Sequence, residues 1–401
     1  MSLKLAGEKM FESSQKLISV LTKHGYQAVY AGGCVRDIIM GKVPHDIDIA
    51  TAADPDTVES IFKSEGYRTI PVGKSFGVIV VLCDDIEFEI ATFRSDGNYT
   101  DGRRPDSVIF SSIEEDCRRR DFTINGMYYD PIREEIIDLV GGKKDIEDGI
   151  IRFIGNPIDR ITEDHLRLIR AARFAARFDF TFHKDTWEAI VAHNYLVVSV
   201  SAERITAELE KMFAMPNRKI AMQYMLDIGL FPVRAQINNV DIFNKLNSHP
   251  SVELCWAAYV MGARSQGLYD FEAILKDHRL SKHLTQDVFN IIKTVREIAG
   301  DKTMAYIKRF FRNSWWNDVL ELAEILEIDV SGISAYKDQA YDKEFISPVP
   351  LITGTQLIEM GLNPGPRFKS IIETVETHQL NGEISDHDEA MKIVNSLILE
   401  I

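Results

Sequence analysis

Asp46 and Asp48 occupy alternate positions of HDIDIA, where acidic and apolar residues alternate as on a strand. Alternate positions project from one side, so the two carboxylates share a face and can grip a hard cation that wants oxygen ligands. In phosphoryl transfer such an ion activates an attacking hydroxyl and absorbs charge on a departing pyrophosphate. Glu87 and Glu89 repeat the spacing, and if their strand lies beside the first, Glu89 is the favoured third acid. An isolated D-x-D is more often a solvated strand face, so its surroundings decide. About a dozen residues earlier, Gly32-Gly33 turn the chain into a short helix that carries Arg36. Backbone N–H groups at such a turn, with a guanidinium beside them, cradle phosphates. A cradle and a carboxylate pair on one small sheet support each other.

In TEDHLRLIRAARFAARF, Arg167, Arg170 and Arg173 recur every three residues on a helix expected to start near Thr162. The array suits phosphates or a base edge, although acids before arginines also describe an ordinary salt-bridged helix. Arg120 ends the run Arg118-Arg119-Arg120, and Asp121 and Asn125 follow closely enough to orient it or a sugar, or to serve a turn.

The elements that must position these residues are legible in outline. An opening helix around Phe11, Leu17, Ile18 and Leu21 stops at His24-Gly25, and a strand from Gln27 to Ala31 follows. Asp54-Pro55 caps a helix through Phe62, and GVIVVL with IEFEIATF, parted by Asp84-Asp85, reads as a hairpin. EEDCRRRDFTINGM reads as a basic helix, YYDPIREEIIDLV as a strand pair, and Gly141-Gly142 as a turn. Beyond Ile150 strand signals fade and amphipathic helices dominate up to Leu326. SPVPLITG near Ser347 reads as a linker into a last small helical unit. The fold class is thus an α/β head with a mixed sheet followed by an all-α remainder. Its expected divisions are a catalytic head at 1–150, a helical neck at 151–215, a helical body at 216–346 and a tail at 347–401.

A chain of 401 residues, 45% hydrophobic and 27% charged, has room for several cores. No run of ~18 apolar residues spans a bilayer, and the first residues lack the apolar core of a signal peptide, so a cytoplasmic setting is expected. Cys34, Cys83, Cys117 and Cys255 form no C-x-x-C pair and predict reduced, mostly buried thiols. The net charge of −15 opposes diffuse binding of nucleic acid, so any RNA site must concentrate its arginines. Trp187, Trp256, Trp315 and Trp316 are assigned to the core rather than to stacking on bases, and His45 and His165 to structural roles.

Several ordered segments are familiar. AGGCVRDIIMGKVPHDIDIATAADP resembles the first motif of the class II tRNA nucleotidyltransferase and bacterial poly(A) polymerase family, a branch of the polymerase-beta-like superfamily. FRSDGNYTDGRRPDSVIF looks like that family's flexible loop, CRRRDFTINGMYYD like its second motif, DLVGGKKDIEDGIIRFIGNP like its third, and TEDHLRLIRAARFAARF like its nucleotide-selecting motif. LITGTQLIEMGLNPGPRFKSIIETVETHQLNGEI is similar to the end of many members. The likeness is dense from Val29 to Phe178 and diffuse from Pro216 to Ser347.

The resemblance implies a polymerase-beta-like nucleotidyltransferase that adds C, C and A to the 3′ end of tRNA from CTP and ATP. It makes Asp46 and Asp48 the magnesium ligands, with two metal ions as the expected complement and Glu89 where members can place a third acid. Gly32, Gly33, Arg36 and Arg120 then surround the triphosphate, with Asp121 and Asn125 as secondary members. Asp164 and Arg167 of the E-D-x-x-R motif read the incoming base, backed by Arg170 and Arg173. A carboxylate accepts and a guanidinium donates, so together they match the amine and ring nitrogen of C or A and mismatch G or U. Terminal A addition alone and poly(A) synthesis share these motifs. Phe76 stands where several CCA-adding members carry histidine, which keeps poly(A) synthesis open, while the acidic HDEAMKIVNSLILE in place of a long basic extension favours CCA. The loop's presence argues against addition of C alone. An RNA-binding protein with an inactive head is the alternative of another class. No obligate protein partner and no membrane are implied.

Overall fold

The structure, a computed structural model, describes residues 2–97, 107–231, 237–263 and 268–399. The chain divides into two compact units, Met1–Gln236 and Ile237–Ile401. The glycine-rich loop segment and Arg103-Arg104 fall largely outside the described residues.

In the N-terminal unit, α1 (Ser2–Lys23), β1 (Ala28–Ala31), α2 (Gly33–Ile39), β2 (Ile49–Thr51) and α3 (Pro55–Ser64) follow in order. Next come β3 (Arg68–Gly73), β4 (Val78–Cys83), β5 (Ile86–Thr92), β6 (Arg94–Asp96), β7 (Val108–Phe110) and α4 (Ile113–Arg118). β8 (Tyr128–Asp130), β9 (Glu135–Ile137) and α5 (Gly142–Asp148) complete the head. Seven of these strands form one sheet in the order β3-β4-β5-β2-β1-β8-β9. It is mixed, because β2 runs parallel to β5 while its other pairings are antiparallel. The hairpin of β4 and β5 turns through Asp84 and Asp85, both at positive φ as a tight two-residue turn requires. Strand alternation sorts β1 into two cores. Ala28 and Tyr30 join Leu17, Ile18, Val58, Phe62 and Ile90, while Val29 and Ala31 join Phe93, Cys117 and Tyr128 on the other face. Asp54 caps α3 by accepting from Thr57 N at 3.0 Å.

Helices carry the chain onward: α6 (Pro157–Glu163), α7 (Arg167–Phe178), α8 (Lys184–Ala192), α9 (Ala202–Phe213) and α10 (Arg218–Ile228). Two features depart from expectation here. A two-stranded parallel pairing of Ile150–Ile151, β10, with Thr181–Phe182, β11, brackets α6 and α7, in strands too short to leave a period in sequence. Nor is TEDHLRLIRAARFAARF one helix, since α6 ends at Glu163 and Asp164 is extended at φ −145°, ψ 102°. Asp164 Oδ1 accepts from Leu166 N at 3.1 Å, a local bond that competes with helix continuation. The basic segment after Phe110 is likewise shorter as a helix than expected. α4 stops at Arg118, and Asp121 Oδ1 takes Phe122 N at 2.8 Å in place of a further helical turn. Gly141 is a turn at φ +76°, but Gly142 already opens α5.

The C-terminal unit is helical among its described residues, with Val252–Met261, Lys282–Glu297, Met304–Phe311 and Trp316–Ile325 as major elements. Trp256 is fully buried and meets Tyr259 edge-on at 5.2 Å. Trp316 is buried too, while Trp187 and Trp315 are half-buried. The residues after Ser347 are irregular up to Thr353, and the helices beyond share a small core of Ile352, Leu357, Ile371, Val375, Ala390 and Val394. All four cysteines are free and buried, and no described helix is long and apolar enough to cross a membrane.

Candidate active site

The carboxylate pair lies at the entry to β2 rather than inside it. The last ladder bond runs from Ala31 N to Asp48 O at 3.0 Å, and Gly32, at φ +74°, then turns the partner strand away. Alternation persists into this extension, with Ile47 and Ile49 buried and Asp46 and Asp48 exposed on the opposite side. Asp48 has surface in the open cleft yet is shielded on its other sides, and its carboxyl is pushed up to about 6. Burial is the first cause, followed by the charges of Asp46 and Glu89, with Arg120 pulling the other way. A crowded anionic group of this kind favours a proton or a cation. The parallel register, Ile49 opposite Ile90, sets Glu89 rather than Glu87 beside Asp48. Glu89 is not part of the cleft wall, and among the described residues no three His, Cys, Asp or Glu side chains are gathered closely enough to cage an ion. Two carboxylates thus stand together at the cleft, with a third on the neighbouring strand.

Beside them the glycine turn and its arginines form a cradle. A Cβ on Gly32 would sit 2.8 Å from Arg120 Nη1, so this position needs both the left-handed backbone and the missing side chain. Gly33 is less constrained. Arg120 donates through Nε to Asp116 Oδ2 and to the Tyr128 hydroxyl, each at 3.2 Å. Burial opposes its charge, but Tyr128 and Asp116 hold it protonated. Arg36 is buried and donates to Asp37 Oδ1 at 2.9 Å and to Asn125 Oδ1 at 2.5 Å. Its guanidinium lies over the Phe178 ring of α7, 4.6 Å from the centroid.

The network continues into the neck helices. Asn125 Nδ2 donates to Asp121 Oδ1 at 3.1 Å, and Arg170 Nε donates to Asp121 Oδ2 at 2.9 Å. Burial pushes Asp121 up, but Arg170 and the hydrogen bonds outweigh it and hold the carboxyl near 2. Arg173 pairs with the buried Glu208 of α9 and lies over Phe174, 4.1 Å from its centroid. Arg167 opens α7 and donates to Glu163 Oε2 at 2.6 Å and to the carbonyls of Arg160 and Arg119 at 2.8 and 2.9 Å. Asp164 Oδ2 accepts from Arg204 Nη2 at 2.8 Å.

Every expected site residue except Glu89 lines one cleft of about 1040 Å³, and His45 lines it as well. Eight cationic side chains face five carboxylates there, which localises positive charge in a chain of net charge −15. Sequence reasoning missed Asp116 and Tyr128 behind Arg120, Glu163 behind Arg167, and Arg204, Glu208 and Lys211 on α9. The i, i+4 spacing of Glu163 and Arg167 was readable. Glu208 and Arg204, 35 and 40 positions from their partners Arg173 and Asp164, carried no local signal.

A mixed sheet that presents paired carboxylates beside a glycine and arginine cradle defines a nucleotidyltransferase head. Residues 28–152 match the family model described as the poly A polymerase head domain. Residues 179–234 match "Probable RNA and SrmB-binding site of polymerase A", and residues 248–394 match tRNA nucleotidyltransferase domain 2. The CCA-adding enzyme of Enterococcus faecalis is 32% identical over 95% of this chain and 94% of its own length. That of Bacillus subtilis is 43% identical over 74% of this chain and 75% of its own. The crystal structure of the Bacillus stearothermophilus CCA-adding enzyme in complex with CTP superposes with a TM-score of 0.79 at 27% identity, covering 96% of this chain and 97% of that one. The chain belongs to the CCA-adding enzyme family of tRNA nucleotidyltransferases.

Proposed function

We propose that this protein builds C, C and A onto the 3′ end of tRNA from CTP and ATP, releasing pyrophosphate at each step. The observation that carries the reading is one cleft holding the Asp46 and Asp48 pair, the Gly32 and Arg120 cradle, and the Asp164 and Arg167 pair. Full-length kinship to CCA-adding enzymes supports it, as does the CTP complex of a relative with the same fold.

Asp46 and Asp48 fit a magnesium ion, because their mutual repulsion and the raised Asp48 carboxyl create a demand for positive charge. Held by Asp46 and Asp48, such an ion would supply activation of the RNA 3′-hydroxyl and neutralisation of triphosphate charge. Glu89 adds negative potential beside Asp48. The N–H groups of the glycine turn, with Arg36 and Arg120, bind the triphosphate, and Asp121 and Asn125 keep Arg36 and Arg170 oriented. Arg170 and Arg173 add positive potential on the neck side. Asp164 accepts from the exocyclic amine of C or A while Arg167 donates to the ring nitrogen. The carbonyl that U or G offers at that position would face the carboxylate and be rejected. We assign the helical regions 216–346 and 347–401 to holding the tRNA, and four buried thiols fit a reducing, cytoplasmic setting.

The test supplies magnesium and tRNA transcripts ending before CCA, after CC, or with full CCA, with CTP and ATP separately and together. Completion to CCA with no further growth is the expected product. A single A added only to the CC end would mean a terminal-A enzyme, and long A ladders a poly(A) polymerase. RNA binding without any extension would mean an inactive head.

A further inference from the structure

Seven of the eight cationic side chains in the cleft are tied to a carboxylate. Asp37 holds Arg36, Asp116 holds Arg119 and Arg120, and Glu163 holds Arg167, while Asp121 holds Arg170, and Glu208 holds both Arg173 and Lys211. Arg177 is the eighth. It is exposed, and among the described residues its guanidinium makes no ion pair or hydrogen bond. Its contact is an aromatic face, 5.2 Å away at the centroid of Phe178. Lys42 is in the same condition, exposed, without an ion pair or side-chain hydrogen bond among the described residues, and 5.6 Å from the same centroid. An aromatic face attracts a cation without consuming its N–H donors. Arg36 lies over this ring too, so three cations gather round it. Burial lowers Arg36 and Arg173, and the charge of Arg177 presses both further down. A cluster of this kind relieves its own repulsion by taking up an anion.

The position of the pair says which anion. Gly32 and Arg167 stand at the N-terminal ends of α2 and α7, whereas Lys42 follows the C-terminal end of α2 and Arg177 lies in the last turn of α7. Ten residues of helix separate Arg167 from Arg177, about 15 Å along the axis. We propose that Arg177 and Lys42 bind a backbone phosphate of the RNA strand just upstream of its 3′ end. The inference rests on the proposed RNA-extending activity. The triphosphate already has its donors in the glycine turn, Arg36 and Arg120, on the side of the carboxylate pair. A strand whose 3′-hydroxyl reaches that pair must lead its preceding phosphates out of the cleft, and the unpaired cations are the ones left to meet them. A cation with no internal carboxylate gives its whole charge to a ligand, while the paired arginines divide theirs. Cations at helix C-termini also steady the helix, so ligand binding rather than stability is the readout.

The test measures the dissociation constant of a tRNA transcript ending before CCA, without nucleotide and across a salt series. It uses the full chain as wild type, Arg177→Met, Arg177→Lys, Lys42→Met and the double Met variant, with KM for CTP at saturating tRNA measured beside it. Each single Met change should weaken tRNA binding on the order of fivefold near about 0.1 M salt and take about 0.7 from the slope of log K against log salt. The double variant should lose about twice that slope, Arg177→Lys should keep it, and KM for CTP should not move. When the last linkages of the RNA are uncharged methylphosphonates, wild type and Arg177→Met should bind alike. Lys23→Met, which removes an exposed charge from α1, should leave the slope as it is. Unchanged tRNA affinity in both single Met variants would overturn the proposal. So would a raised KM for CTP at unchanged tRNA affinity, which would give these cations to the triphosphate instead. A slope change in Lys23→Met as large as that in Arg177→Met would reduce the effect to net charge and sink the idea too. A wild type that binds tRNA but adds no nucleotide fails the functional reading instead, and the binding comparison still decides the phosphate site.

Discussion

Among the described residues, every buried carboxylate and guanidinium lies in the N-terminal unit, while His278 is the one buried polar or charged side chain of the C-terminal unit. The two units spend burial differently. In the first, Asp37, Arg36, Asn125, Asp121 and Arg170 form a string of charge-assisted bonds in which each partner compensates the next. In the second, Trp256, Tyr259 and their apolar neighbours supply stability by area and packing. A fold that must present charge to a ligand keeps its buried ions in pairs. One that only has to hold a shape can do without them.

The sharpest way to separate the units is Asp48→Asn. Incorporation should fall on the order of a thousandfold or more, while the melting temperature holds or rises because repulsion from Asp46 and Glu89 is relieved. Extension assays beside thermal melts check it, and a large loss of stability would break the contrast. Trp256→Ala should do the opposite, costing about 3–5 kcal/mol of unfolding free energy in the C-terminal unit. Urea titration reads that loss, and wild-type single-nucleotide transfer at low temperature would agree with it.

A smaller effect tests the lone buried histidine. Burial lowers His278 from its ordinary 6.5 to about 4, with the Asp277 charge opposing. A group held neutral in the fold contributes stability that is complete above the unfolded value and is lost as pH falls toward the folded one, here from about 6.5 to about 4. The loss is on the order of 3 kcal/mol. Asp318 runs the other way. Partial burial raises it to about 6, so the unit gains stability as pH falls from about 6 toward 4. The two nearly cancel, so His278→Gln should turn a flat acid profile in this unit into a net gain as pH falls. Trp256, whose ring lies 4.9 Å from His278, is a natural fluorescence reporter, and identical pH profiles for both proteins would count against the assignment.

The same contrast explains what the sequence disclosed. Head strands alternate, so Asp46, Asp48 and the Asp84-Asp85 hairpin were legible, and the parallel register then picked Glu89 over Glu87 in a way one strand alone could not. Asp164 looked helical because its neighbours are good helix formers, and only its side-chain bond to Leu166 N–H interrupts them. Arg120 was visible as a cation, but its partners Asp116 and Tyr128 looked like unremarkable helix and strand residues. Arg204 and Glu208 were invisible, because their meaning depends on α9 docking against α7.

Gly32 carries a consequence for the lineage of this chain. Its backbone is left-handed, and the space its side chain would fill already holds the Arg120 guanidinium. Trimming Arg120 to make room would leave the backbone strained and remove a cation from the cleft. Relaxing the backbone would leave the collision. A replaced Gly32 thus carries two separate faults, one of backbone and one of space, and reversion is the change that lifts both at once.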